Sequence, residues 1–127
     1  MFTSIKTSAA NKEIVTRLTR KLNLGTENII ARIALSYSLE QEQQLDLKDL
    51  QDAKGKEYPK NVLFGDQLEI YAGMVAVKYN IPLTDRNLPK YIKLHIDEGL
   101  YLLNTSFEKS NSNSFDFLKS KIQMELF

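Results

Sequence analysis

The chain has 127 residues, 43% of them hydrophobic and 26% charged, and its formal net charge is +1. This length and composition are typical of one globular domain with its own hydrophobic core. The absence of cysteine excludes disulfides and cysteine-ligated zinc, and it fits a reducing compartment. The sequence has neither a signal-peptide pattern nor an apolar run of about 20 residues, so we expect a cytoplasmic protein with no membrane contact.

Charge is segregated along the chain. Residues 1–32 carry a net charge of +4, residues 40–70 carry −4, residues 78–93 carry +3 and residues 97–127 carry −2. Blocks of one sign produce a local field that the net charge conceals, and a basic block attracts a phosphate backbone. The alternative is a solvated surface without a ligand. The candidate nucleic-acid contacts are the cations of the first block: Lys6, Lys12, Arg17, Arg20, Lys21 and Arg32.

The first 38 residues predict a short strand and two helices around a glycine turn. Residues 2–7 are rich in β-branched side chains, and Ser8 can cap a helix with regularly spaced apolar positions. Gly25 is predicted to end this helix with a positive φ, which glycine adopts at low cost. Thr26 can cap a second helix that runs to about Leu39. This order is typical of a ribbon-helix-helix DNA-binding unit, although other small helical proteins share it.

The middle of the chain predicts a loop and a buried helix. Residues 52–60 contain glycine and proline and are predicted to form a loop. Residues 62–65 form a brief apolar segment, and Asp66 can cap a helix that runs to about Tyr79. This helix is apolar around most of its circumference, so we expect it to be deeply buried or to lie at a subunit contact.

The last predicted helix follows Pro82, is capped by Thr84 or Asn87, and runs to about Leu103. The serine- and asparagine-rich segment from Thr105 is predicted to be flexible, and the tail beyond it has the apolar spacing of a short helix. We therefore predict a mainly α protein with a short N-terminal strand, a ribbon-helix-helix-like core and additional helices. The predicted domain covers residues 1–105, and residues 106–127 form a flexible segment with a short amphipathic tail.

Few residues suggest catalysis or metal binding. His95 is the only histidine, and its position on an apolar face predicts a buried, hydrogen-bonded side chain. Asp46, Asp49 and Asp52 are spaced to share one side of a helix, where they could bind Mg²⁺ or simply face solvent. Gly55 precedes a lysine without the rest of a Walker motif, so it predicts a turn or a nest for one phosphate. We expect no cofactor, no metal and no enzyme activity.

Four short segments, taken in order, resemble the DndE family. They are Arg32-Ile33-Ala34, Gly55-Lys56-Glu57-Tyr58, Leu63-Phe64-Gly65 and the helix that contains Tyr71, and the resemblance covers residues 4–104. The family belongs to the bacterial DNA phosphorothioation system, which replaces a non-bridging phosphate oxygen with sulfur. The resemblance implies a homo-oligomer, expected to be a tetramer, that binds duplex DNA, and preferably nicked duplex, through surface lysines. It also implies work alongside a cysteine desulfurase and other DNA sulfur-modification proteins, and it implies no catalytic residue set.

Three functions remain open at this point. The first is a DNA-binding oligomer that contacts the phosphate backbone, with little sequence specificity because only Ser4 and Lys6 would project from the strand. The second is a metal-dependent DNA-nicking enzyme that uses the acids of residues 46–52. The third is a subunit that bridges other proteins. An oligomer is also expected because a lone short strand needs a partner strand.

Overall fold

The computed structural model of the protein describes residues 2–109. Its elements are β1 (Ser4–Lys6), α1 (Lys12–Lys21), α2 (Glu27–Leu39), β2 (Glu57–Pro59), α3 (Lys60–Phe64), α4 (Leu68–Tyr79) and α5 (Leu88–Lys109), with 3-10 turns at Ala9–Asn11, Leu47–Asp49 and Gly65–Gln67. The predicted mainly α fold with a short N-terminal strand is confirmed. α5 continues past the predicted boundary at 105, and the predicted amphipathic tail lies outside the described residues.

The core is built around the crossing of α2 and α5. Side chains such as Ile30, Ile92 and Leu100 are at most 1% exposed. A Cβ at Gly99 would lie 1.9 Å from the backbone oxygen of Ala34, so α5 approaches α2 at a distance that only glycine permits. The other helices and the two strands pack around this crossing.

The N-terminal strand finds its partner within the same chain. β1 pairs antiparallel with β2, and Ile5 lies opposite Tyr58. The predicted loop over residues 52–60 is therefore wrong at Glu57–Pro59. Ile5 faces inward as predicted and is 2% exposed. Because β2 supplies the missing hydrogen bonds, the expectation that β1 needs a strand from a second copy is wrong.

The turn between α1 and α2 differs in detail from its prediction. α1 begins at Lys12, after the 3-10 turn, rather than directly after Ser8. It ends at Lys21, and Asn23 adopts a left-handed φ of +56°. The positive φ predicted for Gly25 is confirmed at +86°, but the helix has already ended before this residue. Thr26 immediately precedes α2, at the predicted cap position, but its side chain makes no capping hydrogen bond.

The two later helices also test the predicted caps. α4 begins at Leu68, and Asp66 lies in the preceding 3-10 turn, so the predicted cap is wrong. Asn87 immediately precedes α5, as predicted, and its backbone N–H donates to Asp85 Oδ1 at 2.7 Å. Deep burial of α4 is wrong as well, because Ile70 is 62% exposed on its outer side.

A buried polar network ties the N-terminal segment to α5. Asp97 is 2% exposed, and its Oδ1 accepts the backbone N–H of Ser8 at 3.1 Å and Asn11 Nδ2 at 2.7 Å. Its Oδ2 accepts Lys93 Nζ at 2.9 Å. Each partner compensates for the loss of water around a buried carboxylate. The network therefore holds the 3-10 turn that precedes α1 against the middle of α5.

Candidate nucleic-acid interface

The outer side of α1 gathers four of the six predicted cations. α1 buries Val15 and Leu18, which directs residues on the opposite side of the helix toward solvent. A surface groove of about 780 Å³ is lined by these cations and two other side chains: Lys12, Glu13, Thr16, Arg17, Arg20 and Lys21. We call this surface the α1 groove. Its cations come together because their spacing follows the helical repeat.

The four cations differ in how far their charge is already compensated. Lys12, Arg20 and Lys21 are exposed and make no ion pair within residues 2–109. Arg17 is half-buried, donates a hydrogen bond to Asn104 Oδ1 and lies 3.5 Å from Glu108 Oε1. Arg17 therefore anchors the groove to α5, and the other three cations carry most of the charge available to a ligand.

The remaining two predicted cations lie at other surfaces. Lys6 is exposed on β1 and lines a cavity of about 210 Å³ together with Lys90 and Lys93. Arg32 is half-buried on α2 and lines a cavity of about 470 Å³ that also includes Asp66. The exposed Lys90 is a further cation at this surface and lies outside the first basic block. The charge of residues 78–93 was the signal that pointed to it.

The three spaced aspartates do not share one side of a helix. Only the 3-10 turn Leu47–Asp49 forms there, and Asp46 accepts the backbone N–H of Lys48 at 2.9 Å. Asp52 Oδ1 accepts the backbone N–H groups of Ala9 and Lys54, both at 2.9 Å, and these two bonds lower its pKa. The predicted helical arrangement is therefore wrong. Within residues 2–109 no three histidine, aspartate or glutamate side chains converge as metal ligands.

The glycine loop is a turn rather than a phosphate nest. The backbone N–H of Gly55 donates to the carbonyl oxygen of Thr7 at 2.9 Å, and the N–H of Thr7 donates to the carbonyl oxygen of Lys56 at 2.8 Å. These two bonds extend the pairing of β1 with β2. Because the Gly55 N–H is already bonded within the chain, it is not available to an anion.

His95 is a buried, hydrogen-bonded side chain, as predicted. Its Nδ1 lies 2.7 Å from Ser38 Oγ and its Nε2 lies 2.6 Å from Tyr79 Oη. Tyr79 Oη also accepts the backbone N–H of Leu45 at 2.9 Å. Burial, with a smaller contribution from the charge of Lys78, lowers the pKa of His95 to about 4. A neutral imidazole satisfies both hydroxyl partners without a buried charge.

This burial predicts a loss of stability in mild acid. The imidazole takes up a proton near pH 6.5 in the unfolded chain but only near pH 4 in the folded protein. The free energy of unfolding should therefore be unaffected above pH 6.5 and fall by about 3 kcal/mol as the pH drops to 4. Urea unfolding at a series of pH values measures this free energy, and His95→Gln serves as the reference that does not titrate. Parallel pH profiles for the two proteins would contradict the prediction.

Comparison with known proteins assigns the family. Residues 4–111 match the family model for the DNA sulphur modification protein DndE, whereas no curated protein matches the chain. The crystal structure of DndE from Escherichia coli B7A, involved in DNA phosphorothioation modification, is similar at a TM-score of 0.65 and 21% identity, over 81% of this chain and 98% of that one. A DndE G21/24K mutant, involved in DNA phosphorothioation, is similar at a TM-score of 0.66 and 20% identity, over 80% and 97%.

The two crystal structures support the fold, and the family model supports the assignment. At about 20% identity the structural similarity supports only the arrangement of helices and strands. No helix within residues 2–109 has the length and apolarity needed to cross a membrane. Since the family model covers most of the sequence, the chain belongs to the DndE family, which is involved in DNA phosphorothioation.

Proposed function

We propose that the protein is a DNA-binding, homo-oligomeric component of the phosphorothioation machinery that contacts the phosphate backbone through the α1 groove. The observation that carries this proposal is the set of exposed, uncompensated cations Lys12, Arg20 and Lys21 on one side of one helix. Cations at this spacing attract phosphates and release counterions, which gives affinity without dependence on base sequence. We also propose that the protein is a tetramer and prefers nicked duplex. In this proposal it is located in the cytoplasm and has other sulfur-modification proteins as partners.

The strand surface supports a backbone-directed mode of binding. Ribbon-helix-helix proteins read bases with side chains that project from paired strands into the major groove. Here Ser4 Oγ already donates to Glu57 Oε2 at 2.7 Å, and Lys6 is the other outward side chain of β1. One lysine cannot distinguish base pairs by a pattern of donors and acceptors. We therefore expect affinity that varies little between sequences.

DNA binding at several salt concentrations tests the proposal. Intact, nicked and single-stranded DNA of one sequence are compared by gel shift. The logarithm of the association constant should fall linearly with the logarithm of salt concentration, and the nicked duplex should bind most tightly. Failure to bind any of the three DNA forms would contradict the proposal and favour the subunit that bridges other proteins.

The proposal includes no cleavage of DNA by the protein alone. Phosphoryl transfer needs positioned metal ions or charge clamps, and Asp52 is already bonded to two backbone N–H groups. Supercoiled plasmid should therefore remain intact with purified protein and Mg²⁺ or Mn²⁺. The control is Asp46→Asn/Asp49→Asn, since both side chains are exposed. Nicking by the wild type that disappears in this variant would establish the metal-dependent nicking enzyme instead.

A further inference from the structure

A second cavity, separate from the α1 groove, lies between α2 and the segment that leads from α3 into α4. Its volume is about 470 Å³, and Arg32, Gly65 and Tyr71 are among the residues that line it. We call it the Arg32 cavity. These residues come from three of the four segments by which the sequence resembles the DndE family. None of the three lines the α1 groove, so the proposed function leaves them without a role.

The bend at Gly65 brings polar side chains to this cavity. Gly65 follows α3 with φ +54° and ψ −131°, a backbone conformation that glycine adopts at low cost and other residues rarely adopt. The 3-10 turn that starts there places Asp66 and Gln67 at the cavity wall. The ring of Tyr71, on α4, packs against the ring of the buried Phe64, with centroids 5.4 Å apart. The wall therefore combines a carboxylate, an amide and an aromatic ring.

Arg32 is half-buried, and its charge is not compensated within residues 2–109. It makes no ion pair or side-chain hydrogen bond there, and Asp66 does not pair with it although both line the cavity. Arg17 and Lys56 are half-buried too, and each pairs with a carboxylate. A guanidinium that is partly removed from water is stabilised when an anion pairs with it, and its planar fork fits two oxygens of one phosphate. The unpaired Arg32 therefore indicates a ligand with an anionic group.

The rest of the wall favours one anionic group joined to a planar base. Arg32 and Asp66 together carry no net charge, so a run of phosphates or of acidic side chains would meet repulsion from Asp66. Asp66 accepts hydrogen bonds and Gln67 both donates and accepts them, which suits the edge of an unpaired base. Tyr71 offers an aromatic ring on which a base stacks. The volume lies within the range of about 300–1,000 Å³ that is typical of small-molecule sites.

We propose that the Arg32 cavity binds one unpaired nucleotide, with its phosphate on the guanidinium of Arg32 and its base against Tyr71. A free nucleotide and a nucleotide of a single strand present the same phosphate and base, so both are sources of this ligand. The site is separate from the α1 groove, which contacts the backbone of duplex DNA in the proposed function.

Nuclear magnetic resonance on the full chain tests where the ligand binds. The probes are the four deoxynucleoside 5′-monophosphates and a short single-stranded oligonucleotide. At least one mononucleotide should bind saturably and shift the amide signals of Gly65 and Gln67 and the side-chain signal of Arg32. Tighter binding of the oligonucleotide, measured at the Gly65 signal, would identify a single strand as the source, and tighter binding of the mononucleotide would identify the free nucleotide. Shifts confined to the α1 groove would overturn the proposal.

Isothermal titration calorimetry tests the contribution of the phosphate. Arg32→Gln should weaken the mononucleotide about 10-fold or more, because a charge-assisted hydrogen bond is lost. Arg20→Gln, which removes the same charge from the α1 groove, is the matched control and should leave this affinity unchanged. Circular dichroism checks that each variant is folded. Equal affinities in Arg32→Gln and the wild type would contradict the proposed site.

The contribution of the base is tested at Tyr71. Tyr71→Leu should weaken the mononucleotide about 5-fold or more and leave the affinity for inorganic phosphate unchanged, because only the base stacks on the ring. Tyr71→Phe keeps the ring and should keep the affinity. If inorganic phosphate or a glutamate hexapeptide bound as tightly as the mononucleotide, the cavity would recognise charge alone and the proposal would be wrong.

Failure of this proposal and failure of the proposed function give different results. A protein that binds duplex DNA and no mononucleotide would overturn only the site in the Arg32 cavity. A protein that binds a mononucleotide at Gly65 and no duplex DNA would overturn only the role of the α1 groove.

Discussion

The double charge reversal Lys12→Glu/Lys21→Glu is expected to weaken the binding of duplex DNA on the order of 100-fold at low salt, and by a similar factor for every sequence. Both side chains line the α1 groove and are exposed. The substitutions remove two phosphate contacts and place two negative charges beside the backbone. The plot of log affinity against log salt should become shallower by about 0.9 for each phosphate that is no longer neutralised. Fluorescence anisotropy during a salt titration measures both quantities.

A matched control separates the α1 groove from the net charge of the protein. Lys48→Glu/Lys54→Glu changes the net charge by the same amount, but both lysines lie in the acidic middle of the chain and outside the α1 groove. This variant should keep most of the wild-type affinity. Equal losses in the two variants would show that α1 is not the DNA site, and Lys6 and Lys90 at the β1 cavity would become the next candidates.

Removing the cation from the buried network should have the largest effect on stability. Lys93→Met leaves the carboxylate of Asp97 buried without its opposite charge, and breaking such a pair costs about 3–5 kcal/mol. Urea unfolding near neutral pH measures this loss. Lys90→Met, an exposed lysine on the same helix, should change the free energy of unfolding by less than about 0.5 kcal/mol.

The double variant Lys93→Met/Asp97→Asn identifies the cause of that loss. Asparagine keeps an oxygen for the N–H groups of Ser8 and Asn11 and carries no charge, so most of the lost stability should return. A loss below about 1 kcal/mol in Lys93→Met alone would mean that the two N–H donors compensate the carboxylate without the lysine.

Local patterns predicted α1, α2, α4 and α5, but they missed the short helix α3 and the strand β2. α5 follows from apolar residues at helical spacing, such as Ile92, Ile96 and Leu103, all of which are buried. β2 could not be predicted this way, because only Tyr58 of its three residues is buried, its last residue is a proline, and Gly55 lies two residues before it. Glu57–Pro59 is a strand because β1, more than 50 residues away in sequence, pairs with it.

In the candidate site, too, local spacing was predictable from the sequence and long-range contacts were not. The helical repeat correctly brought Lys12, Arg17, Arg20 and Lys21 to one groove. It could not show that Arg17 is engaged by Asn104 and Glu108, which come from the far end of α5. It also could not show that Lys90 is exposed whereas Lys93, in the same basic block, is buried. Lys93 is buried because it forms an ion pair with Asp97.

The bonds from Ser8 and Asn11 to Asp97 have a consequence for translation, because they join the first residues of the chain to one of the last helices that is made. They join residues 89 and 86 positions apart, so their acceptor leaves the ribosome long after their donors. α1 begins directly after Asn11 and is anchored through these bonds. The segment that leads into the basic helix α1 therefore cannot form these two bonds until the middle of α5 has been synthesised.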